Sequence, residues 1–368
     1  MRRLHYDWLV VGSGLFGAVF AHEAKKRGKT VLVAERRAHT GGNLYCEERE
    51  GIRIHAYGAH IFHTSDENVW NYMRALSAFN HFLNSPVANY KGELFSLPFN
   101  MHTFYQMWGV VTPAQAHERI EAQRGESQFE PGNLEEQAIA LVGRDVYEKL
   151  VKAYTEKQWG RPCDKLPAFI LKRLPVRYTF DNRYFSDPYQ GIPEEGYNAV
   201  IKKLLNGCTL MLNTDFNLQR DALMNLARRV LYTGQIDAYY DFRFGALAYR
   251  SLRFETERLE TQNHQGVAVM NYTDAQTPFT RMIEHKHFEF GEQPYTYITR
   301  EYPLEWNVGA EAYYPVNDEE NQALYARYEA LSKKEPHTVF GGRLAQYRYL
   351  DMDKTVAAAL ELAEKELV

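Results

Sequence analysis

A glycine-rich turn and a carboxylate near the start of the chain have the types and spacing needed to hold a dinucleotide. Gly12, Gly14 and Gly17 form the pattern GxGxxG, and Glu35 follows Gly12 by 23 positions. The first glycine permits a tight turn, the second lets the backbone approach a pyrophosphate, and the third lets a helix pack closely on a strand. A carboxylate about 20 residues later can accept hydrogen bonds from ribose hydroxyls. The alternative is a glycine turn without a ligand.

The elements that must position these residues can be read from the same segment. Residues 7–11 are short, apolar and β-branched at their end, which predicts a buried parallel strand. Residues 18–27 have helical spacing, with Gly28 at the expected C-terminus, and residues 30–34 predict a second strand that ends at Glu35. Because strand, glycine motif, helix, strand and acid occur in this order, dinucleotide binding is favoured over a simple glycine turn.

A second glycine pair follows the carboxylate at Gly41 and Gly42, with Asn43 after it. So much glycine close to the ribose carboxylate indicates that more backbone is pressed against the same cofactor. This arrangement is typical of FAD-binding proteins and is not expected of a plain NAD domain. A surface turn formed by Gly-Gly-Asn is the alternative.

The composition limits the classes of partner. The 368 residues carry 43 Lys and Arg against 47 Asp and Glu, and the net charge of −4 gives no bulk attraction for nucleic acid. Cys46, Cys163 and Cys208 form no CxxC pair and no disulfide framework, which suits a reducing cytosol. The apolar run at residues 8–21 lacks a cleavage site and is shorter than the roughly 20 residues that a bilayer requires. We therefore expect a cytoplasmic protein with no nucleic-acid partner and no membrane insertion.

Periodic patterns beyond the first fifty residues predict a helical region and a sheet region. Helical spacing predicts helices at residues 68–76, 100–108, 113–124, 134–142, 146–157, 196–205 and 353–366. Alternating β-branched and aromatic residues predict antiparallel strands at residues 247–255, 266–272, 282–288 and 295–302. Two short apolar segments that end in small-residue turns, at residues 230–234 and 338–343, predict returns to the sheet of the nucleotide domain.

These elements predict an α/β fold in which a discontinuous Rossmann-like FAD-binding domain carries an inserted helical domain and an antiparallel sheet domain. The predicted FAD-binding domain comprises residues 1–80, 190–240 and 335–368. The predicted helical domain, which includes a mobile lid, comprises residues 98–172. The predicted antiparallel sheet domain, which binds the substrate, comprises residues 81–97, 173–189 and 241–334. We expect the ligand in a cleft between these parts.

Several further strings are longer and more specific than the glycine motif. They are YGAHIFHT (57–64), YTEKQWG (154–160), LKRLPVR (171–177), DNRYF (181–185), YYP (313–315), GRL (342–344) and YRYLDMD (347–353). In this order, over nearly the whole chain, they closely resemble the bacterial UDP-galactopyranose mutase family. Leu150 and Val151 depart from the pattern, because some members have phenylalanines near the uracil at this place. The uracil contacts therefore stay open.

The resemblance implies an isomerase that contains FAD, which must be reduced for activity. Such an enzyme interconverts UDP-galactopyranose and UDP-galactofuranose, the precursor of galactofuranose in bacterial surface polysaccharides, without net redox change. N5 of the reduced flavin attacks the anomeric carbon of the sugar, and UDP is the leaving group. The resemblance also implies a homodimer.

The same resemblance assigns site residues. The catalytic residues that it implies are Arg173, Arg281 and His60. The substrate-binding residues that it implies are Asn84, Tyr154, Trp159, Arg173, Tyr184, Phe185, Asn271, Arg281, Glu301, Tyr314 and Tyr349. The cofactor-binding residues that it implies, together with the glycine motif, are Gly12, Gly14, Gly17, Glu35, Arg36, Gly42, Asn43, His60, Ile61, Thr233, Arg343, Tyr349, Asp351 and Met352.

Two arginines suit this chemistry, because fixed guanidinium groups can neutralise a diphosphate leaving group with bidentate hydrogen bonds. On pattern alone, Arg173 fits a solvated basic face equally well, and Arg281 fits a strand ion pair. His60 and His63 are three residues apart but lack a third ligand nearby, so no metal site is expected. Residues 159–172 are predicted to include the mobile lid, because a glycine and two prolines punctuate them.

Two other functions share the early glycine motifs. An FAD-dependent amine oxidase-like oxidoreductase would reduce its flavin with substrate, whereas the mutase would need its flavin reduced beforehand. A non-enzymatic flavin-binding protein would turn over no nucleotide sugar. The strings beyond residue 150 favour the mutase.

Overall fold

The computed structural model describes residues 5–124, 131–171 and 175–367. Within them the strands are β1 (Tyr6–Val11), β2 (Val31–Ala34), β3 (Cys46–Arg49), β4 (Ile52–His55), β5 (Phe62–Thr64), β6 (Val87–Tyr90), β7 (Glu93–Ser96), β8 (Tyr189–Gly191), β9 (Thr209–Met211), β10 (Ala227–Tyr232), β11 (Tyr249–Leu259), β12 (Val269–Tyr272), β13 (Arg281–Glu284), β14 (Thr296–Glu305), β15 (Tyr314–Pro315) and β16 (Thr338–Phe340). The helices are α1 (Leu15–Lys26), α2 (Glu67–Arg74), α3 (Met101–Trp108), α4 (Pro113–Arg124), α5 (Leu134–Val142), α6 (Arg144–Val146), α7 (Ala153–Trp159), α8 (Tyr197–Leu204), α9 (Arg220–Met224), α10 (Ile236–Tyr239), α11 (Glu319–Ser332) and α12 (Met352–Glu366).

Five strands form a parallel sheet in the order β16-β10-β1-β2-β9. Successive residues of β1 enter two different cores, because side chains alternate across a strand. Trp8 and Val10 pack with α1, α8 and α12, whereas Leu9 and Val11 pack with α9 and α10. Apolar residues on both faces explain why β1 and β2 are nearly continuous hydrophobic runs. The predicted Rossmann-like α/β architecture is confirmed.

The turn between β1 and α1 leaves a helix start open to a ligand. Gly14 is the N-cap of α1 and makes no side-chain capping hydrogen bond. The first N–H groups of an uncapped helix have no intrahelical partner, and they attract anions. The glycine motif and this helix start therefore lie together at the carboxyl edge of the parallel sheet.

Helices α3 to α7 surround a core of their own, in which Phe104, Leu134 and Tyr147 are buried. The helix predicted at residues 146–157 is three consecutive segments instead, because a π-helical stretch, Tyr147–Lys152, separates α6 from α7. Leu150 and Val151 lie in that stretch and are each only 4% exposed. They therefore pack inside the helical core.

A seven-stranded sheet has the order β15-β11-β14-β13-β12-β6-β7. The predicted antiparallel sheet is confirmed except that β6 and β12 pair in parallel. The strand predicted at residues 282–288 is wrong in its second half, because β13 ends at Glu284 and His285–Glu289 form a 3-10 helix. α11 lies in a region for which the sequence patterns predicted no helix.

Within residues 5–124, 131–171 and 175–367, every helix is too short or too polar to span a bilayer.

Candidate active site

The glycine motif forms a tight turn against the end of β10. Gly12 has a φ of 97°, a backbone conformation that favours glycine, and a Cβ there would overlap the hydroxyl of Thr233. A Cβ at Gly17 would overlap the carbonyl oxygen of Gly12. The motif therefore lets α1 and the end of β10 approach the β1 turn more closely than side chains would allow.

The second glycine pair packs on the first. Gly14 and Gly41 form a parallel bridge, and a Cβ at Gly42 would lie 3.0 Å from the Cα of Gly14. Backbone from both segments thus meets without intervening side chains. This is the arrangement that the sequence predicts for a cofactor enclosed by two glycine-rich turns.

The Glu35 carboxylate is held in place by three donors. Its Oε2 accepts hydrogen bonds from the Ser13 main-chain N–H (2.9 Å) and hydroxyl (2.7 Å), and its Oε1 accepts one from the main-chain N–H of Arg37 (2.9 Å). Oε2 uses both lone pairs on Ser13, whereas Oε1 has a second lone pair and can still accept from a ribose hydroxyl. The sequence predictions did not include Ser13, although it lies inside the glycine motif.

One cavity brings together most of the predicted cofactor residues. It is lined by Gly12, Gly14, Gly17, Glu35, Arg36, Gly42, Asn43, His60, Thr233, Arg343 and Met352. The remaining three lie elsewhere: Ile61 is 7% exposed in the apolar core, and Tyr349 and Asp351 belong to the tyrosine and arginine cluster described below. The cofactor role of each residue stays a prediction.

Glu311 lines the same cavity and was not predicted from the sequence. Its carboxylate is 2.7 Å from the Arg36 guanidinium and 2.9 Å from that of Arg37, and the Arg37 Cζ lies 4.2 Å from the centre of the Tyr57 ring. Arg36 is therefore engaged in a shared ion pair at the rim of the cavity. No local pattern could have revealed it, since Glu311 lies more than 270 residues from both arginines.

His60 is the outer member of a chain of hydrogen-bonded histidines. Its main-chain N–H donates to His55 Nδ1 (3.2 Å), and the His55 main-chain N–H donates to His285 Nδ1 (3.2 Å). Since both Nδ1 atoms accept, the ring protons of His55 and His285 sit on Nε2, and that of His285 is donated to Thr299 Oγ1 at 2.7 Å. The His60 Nδ1 lies 2.8 Å from the Gly58 carbonyl oxygen, so it carries the proton and leaves Nε2 as an acceptor.

All three histidines are neutral at pH 7. Burial lowers the pKa of His285 to about 3 and that of His60 to about 4, and it holds the pKa of His55 well below the usual range. Arg343 and Arg281 also lower the pKa of His60, which places both guanidinium groups near it.

We expect the protein to lose stability as the pH falls below about 6.5, because unfolded histidines bind protons there. The folded protein keeps the three histidines neutral, so stability that is present above this pH is lost below it. Asp237 offsets the effect of one histidine. Burial raises the pKa of Asp237 to about 6, so as the pH falls the folded protein binds this proton before the unfolded chain does. For these four groups alone, the net difference of about two protons corresponds to roughly 3 kcal/mol of unfolding free energy per pH unit between about pH 6 and 4. Denaturant unfolding of wild type and His285→Gln across this range checks the prediction: the variant should show a shallower slope, and equal slopes would contradict it.

Arg281 is the centre of the second part of the site. It lies on β13 directly between Asn271 of β12 and Glu301 of β14. Its Nη2 donates to the Tyr154 hydroxyl at 2.9 Å, and its Nη1 is 3.6 Å from the Glu301 carboxylate. Two buried polar atoms, Arg281 Nε and Asn271 Oδ1, make no hydrogen bond with the described residues. Such atoms are rare in folded proteins and suit a polar ligand.

Four tyrosines converge on this arginine. The rings of Tyr314 and Tyr349 stack with centroids 5.9 Å apart, and Tyr349 is half exposed. Burial raises the pKa of Tyr184, Tyr154 raises it further, and Arg281 lowers it. Burial also raises the pKa of Tyr314, where Glu301 acts in the same direction and Arg281 against it. The phenols of Tyr184 and Tyr314 are therefore protonated donors at neutral pH.

Three other predicted substrate residues, Phe185, Asn84 and Trp159, make no described contact with Arg281 itself. The Phe185 ring stacks on His63 at 3.6 Å, and His63 Nδ1 lies 2.7 Å from the Asp187 carboxylate, so both rings are engaged with each other. Asn84 is 7% exposed, and its main-chain carbonyl oxygen accepts a hydrogen bond from the main-chain N–H of Tyr184. Trp159 packs against the helical core. Arg173 lies outside the described residues.

Comparison with known families adds what geometry alone does not. The model described as UDP-galactopyranose mutase matches residues 149–349, which include Tyr154, Arg281, Tyr314 and Tyr349. The chain belongs to the UDP-galactopyranose mutase family. A second model, described as an NAD(P)-binding Rossmann-like domain, matches residues 10–76. The chain is accordingly an enzyme, an isomerase of a flavin-dependent mutase family.

Relatives match over almost their whole length. The chain is 39% identical to a probable UDP-galactopyranose mutase of Klebsiella pneumoniae over 98% of its residues and 94% of the relative. It is 37% identical to a dTDP-fucopyranose mutase of Escherichia coli over 97% of both chains. A crystal structure of reduced UDP-galactopyranose mutase shares the fold, with a TM-score of 0.75, 12% identity, and coverage of 98% of this chain and 95% of that one. A redesigned putrescine oxidase resembles the fold less closely, with a TM-score of 0.58, 13% identity, and coverage of 98% of this chain and 99% of that one.

Proposed function

We propose that this enzyme interconverts UDP-galactopyranose and UDP-galactofuranose, and that Arg281 holds the diphosphate. The observation that carries the proposal is the placement of Arg281, whose buried Nε has no partner among the described residues and which lies near His60 at the glycine-lined cavity. A guanidinium with an unused donor beside a cofactor cavity suits an anionic leaving group. We propose Arg173, which lies outside the described residues, as a second diphosphate ligand.

The cofactor in this proposal is FAD. The residues present fit it, because two glycine-rich segments meet without side chains at one cavity, and the Glu35 carboxylate is held there by Ser13 and Arg37. When bound and reduced, FAD supplies the nucleophilic N5 for the anomeric carbon. The chain's own residues bind and orient the two partners. Arg36 and Glu311, which form an ion pair, line the same cavity.

The protein groups have distinct tasks in the reaction. Arg281 neutralises charge that develops on the diphosphate as the glycosidic bond breaks, and Tyr154 fixes its orientation through the 2.9 Å hydrogen bond. Tyr314 and Tyr349 donate hydrogen bonds to phosphate oxygens. Neutral His60 presents Nε2 as an acceptor, because its Nδ1–H is directed to the Gly58 carbonyl. These groups are fixed before substrate arrives, so little reorganisation is required.

The relative that is a dTDP-fucopyranose mutase defines a competing substrate. dTDP-fucose lacks the ribose 2′-hydroxyl and the sugar 6-hydroxyl and adds a methyl group to the base. A site that hydrogen-bonds a hydroxyl discriminates strongly against an analogue without it. We expect the reduced enzyme, given equal UDP-galactofuranose and dTDP-fucofuranose, to convert the UDP-sugar at least roughly tenfold faster. Chromatography of the mixture tests this, and faster conversion of the dTDP-sugar would assign the protein to the other substrate.

The proposal extends to the organisation of the chain. It includes the domain division predicted above, with residues 1–80, 190–240 and 335–368 holding FAD and residues 81–97, 173–189 and 241–334 holding the substrate. It also includes a homodimer and the mobile lid within residues 98–172.

A further inference from the structure

Lys157 joins helix α7 to the turn between β12 and β13. Its ammonium lies 2.8 Å from the carbonyl oxygen of Tyr272, 2.9 Å from that of Thr277 and 3.1 Å from that of Phe279. An ammonium has three donors, and all three are used on main-chain acceptors of one turn. Lys157 therefore organises backbone and is not a surface charge.

The turn that Lys157 holds ends at the diphosphate arginine. Asp274, which is 3% exposed, shapes it by accepting hydrogen bonds from the main-chain N–H groups of Gln276 and Thr277 and from the Thr277 hydroxyl. Arg281 follows two residues after Phe279 as the first residue of β13. A displacement of the turn relative to α7 would therefore change the register between Arg281 and Tyr154.

The same helix also contacts Arg281 itself. Tyr154 and Lys157 are three residues apart on α7, so they lie on one face of the helix. Tyr154 accepts the hydrogen bond from Arg281, and Lys157 binds the turn before it. The end of α7 is fixed as well, because Arg250 Nε donates to the Gln158 carbonyl at 2.9 Å.

We propose that Lys157 is a positioning residue for the substrate diphosphate, which it serves by holding α7 and the β12–β13 turn in the register that lets Tyr154 orient Arg281. The inference rests on the proposed function, since it assumes that Arg281 binds the diphosphate. Lys157 touches neither substrate nor cofactor in this account. Its effect passes through Tyr154 and Arg281.

The charge of Lys157 offers a second line of support. Burial lowers its pKa to about 8, although Asp274 acts in the opposite direction. Among the described residues, the charged and titratable groups beside it are Asp274, its chain neighbour Glu156, Tyr272, whose carbonyl it binds, and Arg250, which donates to the Lys157 carbonyl. Burial raises the pKa of Tyr272, and the arginine keeps its charge in this range, so Lys157 is the group of this set that changes charge near pH 8.

Calorimetric titration of the flavin-loaded enzyme with UDP tests the proposal. We expect Lys157→Met to raise the Kd for UDP roughly tenfold, as for a modest misplacement of a binding group. In the Tyr154→Phe background, Lys157→Met should raise the Kd for UDP much less, because the hydroxyl through which Lys157 acts on Arg281 is already absent. An equal loss in both backgrounds, or no loss in either, would overturn the proposal.

Lys286 supplies a matched control. Its ammonium also binds three main-chain carbonyls, those of Gln262, Gln293 and Tyr295, but it lies beyond the other end of β13. Lys286→Met should destabilise the protein about as much as Lys157→Met does. Any effect of Lys286→Met on the Kd for UDP should be the same with and without Tyr154→Phe. Coupling of equal size for both lysines would overturn the positioning role.

A measurement on the wild type covers the case in which Lys157→Met does not fold. Its UDP affinity should fall as the pH rises from 7 to 9 through the pKa of Lys157, and a flat profile would overturn the proposal. If the wild type binds no UDP at any pH, the proposed function fails and not this inference alone.

Discussion

Replacing Arg281 by alanine should lower kcat/KM for UDP-galactofuranose by about 10²–10³-fold, or roughly 3–4 kcal/mol of transition-state stabilisation. The reason is position and burial: the guanidinium is held between Asn271 and Glu301, it bonds Tyr154, and its Nε is left for a ligand. Removing it also leaves the Glu301 carboxylate, 4% exposed, without its nearest cation. Steady-state kinetics of the reduced variant, together with its Kd for UDP, measures both losses.

Arg300 is the matched control for this change. It is the residue before Glu301 on β14 and pairs with the partly exposed Glu257 at 2.9 Å, so it shares the sheet but points away from Arg281. Exposed ion pairs contribute about 1 kcal/mol or less. Arg300→Ala should therefore leave kcat/KM within roughly threefold of wild type. Similar losses for both arginines would mean that Arg281 acts through the stability of the sheet.

Replacing Gly17 by alanine should destabilise the protein by roughly 1–3 kcal/mol and release most of its flavin. Alanine in a helix interior usually stabilises a protein by about 0.5–1 kcal/mol over glycine, so the expected sign is reversed here. The cause is the Gly12 carbonyl oxygen, which a Cβ at Gly17 would overlap, and which α1 can avoid only by moving off β1. Thermal unfolding and flavin absorbance per protein chain measure the two effects.

Two other glycines separate the cofactor contact from the fold. Among the described residues other than its chain neighbours, a Cβ at Gly14 would meet only the Cα of Gly42, at 3.9 Å, so the fold should tolerate Gly14→Ala. We expect this variant to fold normally yet bind less flavin, because the methyl group stands where the pyrophosphate approaches the backbone. Gly28 has a φ of 72°, and apart from its chain neighbours no atom of the described residues lies within 4 Å of a Cβ there, so Gly28→Ala should cost about 1 kcal/mol and keep its flavin. Full flavin content in Gly14→Ala would contradict the assigned cofactor turn.

The local part of the fold could be predicted from the sequence because its signals are local. The helix predicted at residues 134–142 is α5 with the same limits, since Asn133 caps it and Gly143 ends it. The strand, glycine motif, helix and strand of the first fifty residues were predicted for the same reason. The strand predicted at residues 282–288 is wrong beyond Glu284, because His285 and Phe288 are buried residues of a 3-10 helix. Short runs of buried rings occur in both kinds of element, so their pattern did not distinguish the helix from a strand.

The contacts that complete the site could not be predicted in this way. Glu311 reaches Arg37 and Lys157 reaches Thr277 across more than 100 residues of sequence, so only the tertiary fold brings each pair together. α11 could have been found, since Asp318 caps it and two glutamates follow, as is typical of a helix start. The site residues Tyr154, Arg281 and Tyr314 came from resemblance, because an isolated tyrosine or arginine carries no signal of its own.

The central claim is most directly tested by turnover of UDP-galactofuranose with the flavin in each redox state. The enzyme reduced with dithionite under anaerobic conditions and the untreated oxidised enzyme are incubated with UDP-galactofuranose, and the nucleotide sugars are separated by chromatography. We predict UDP-galactopyranose from the reduced enzyme, almost none from the oxidised enzyme, and no bleaching of the oxidised flavin by substrate. Absence of UDP-galactopyranose with fully reduced flavin, or reduction of the flavin by the substrate itself, would contradict the account.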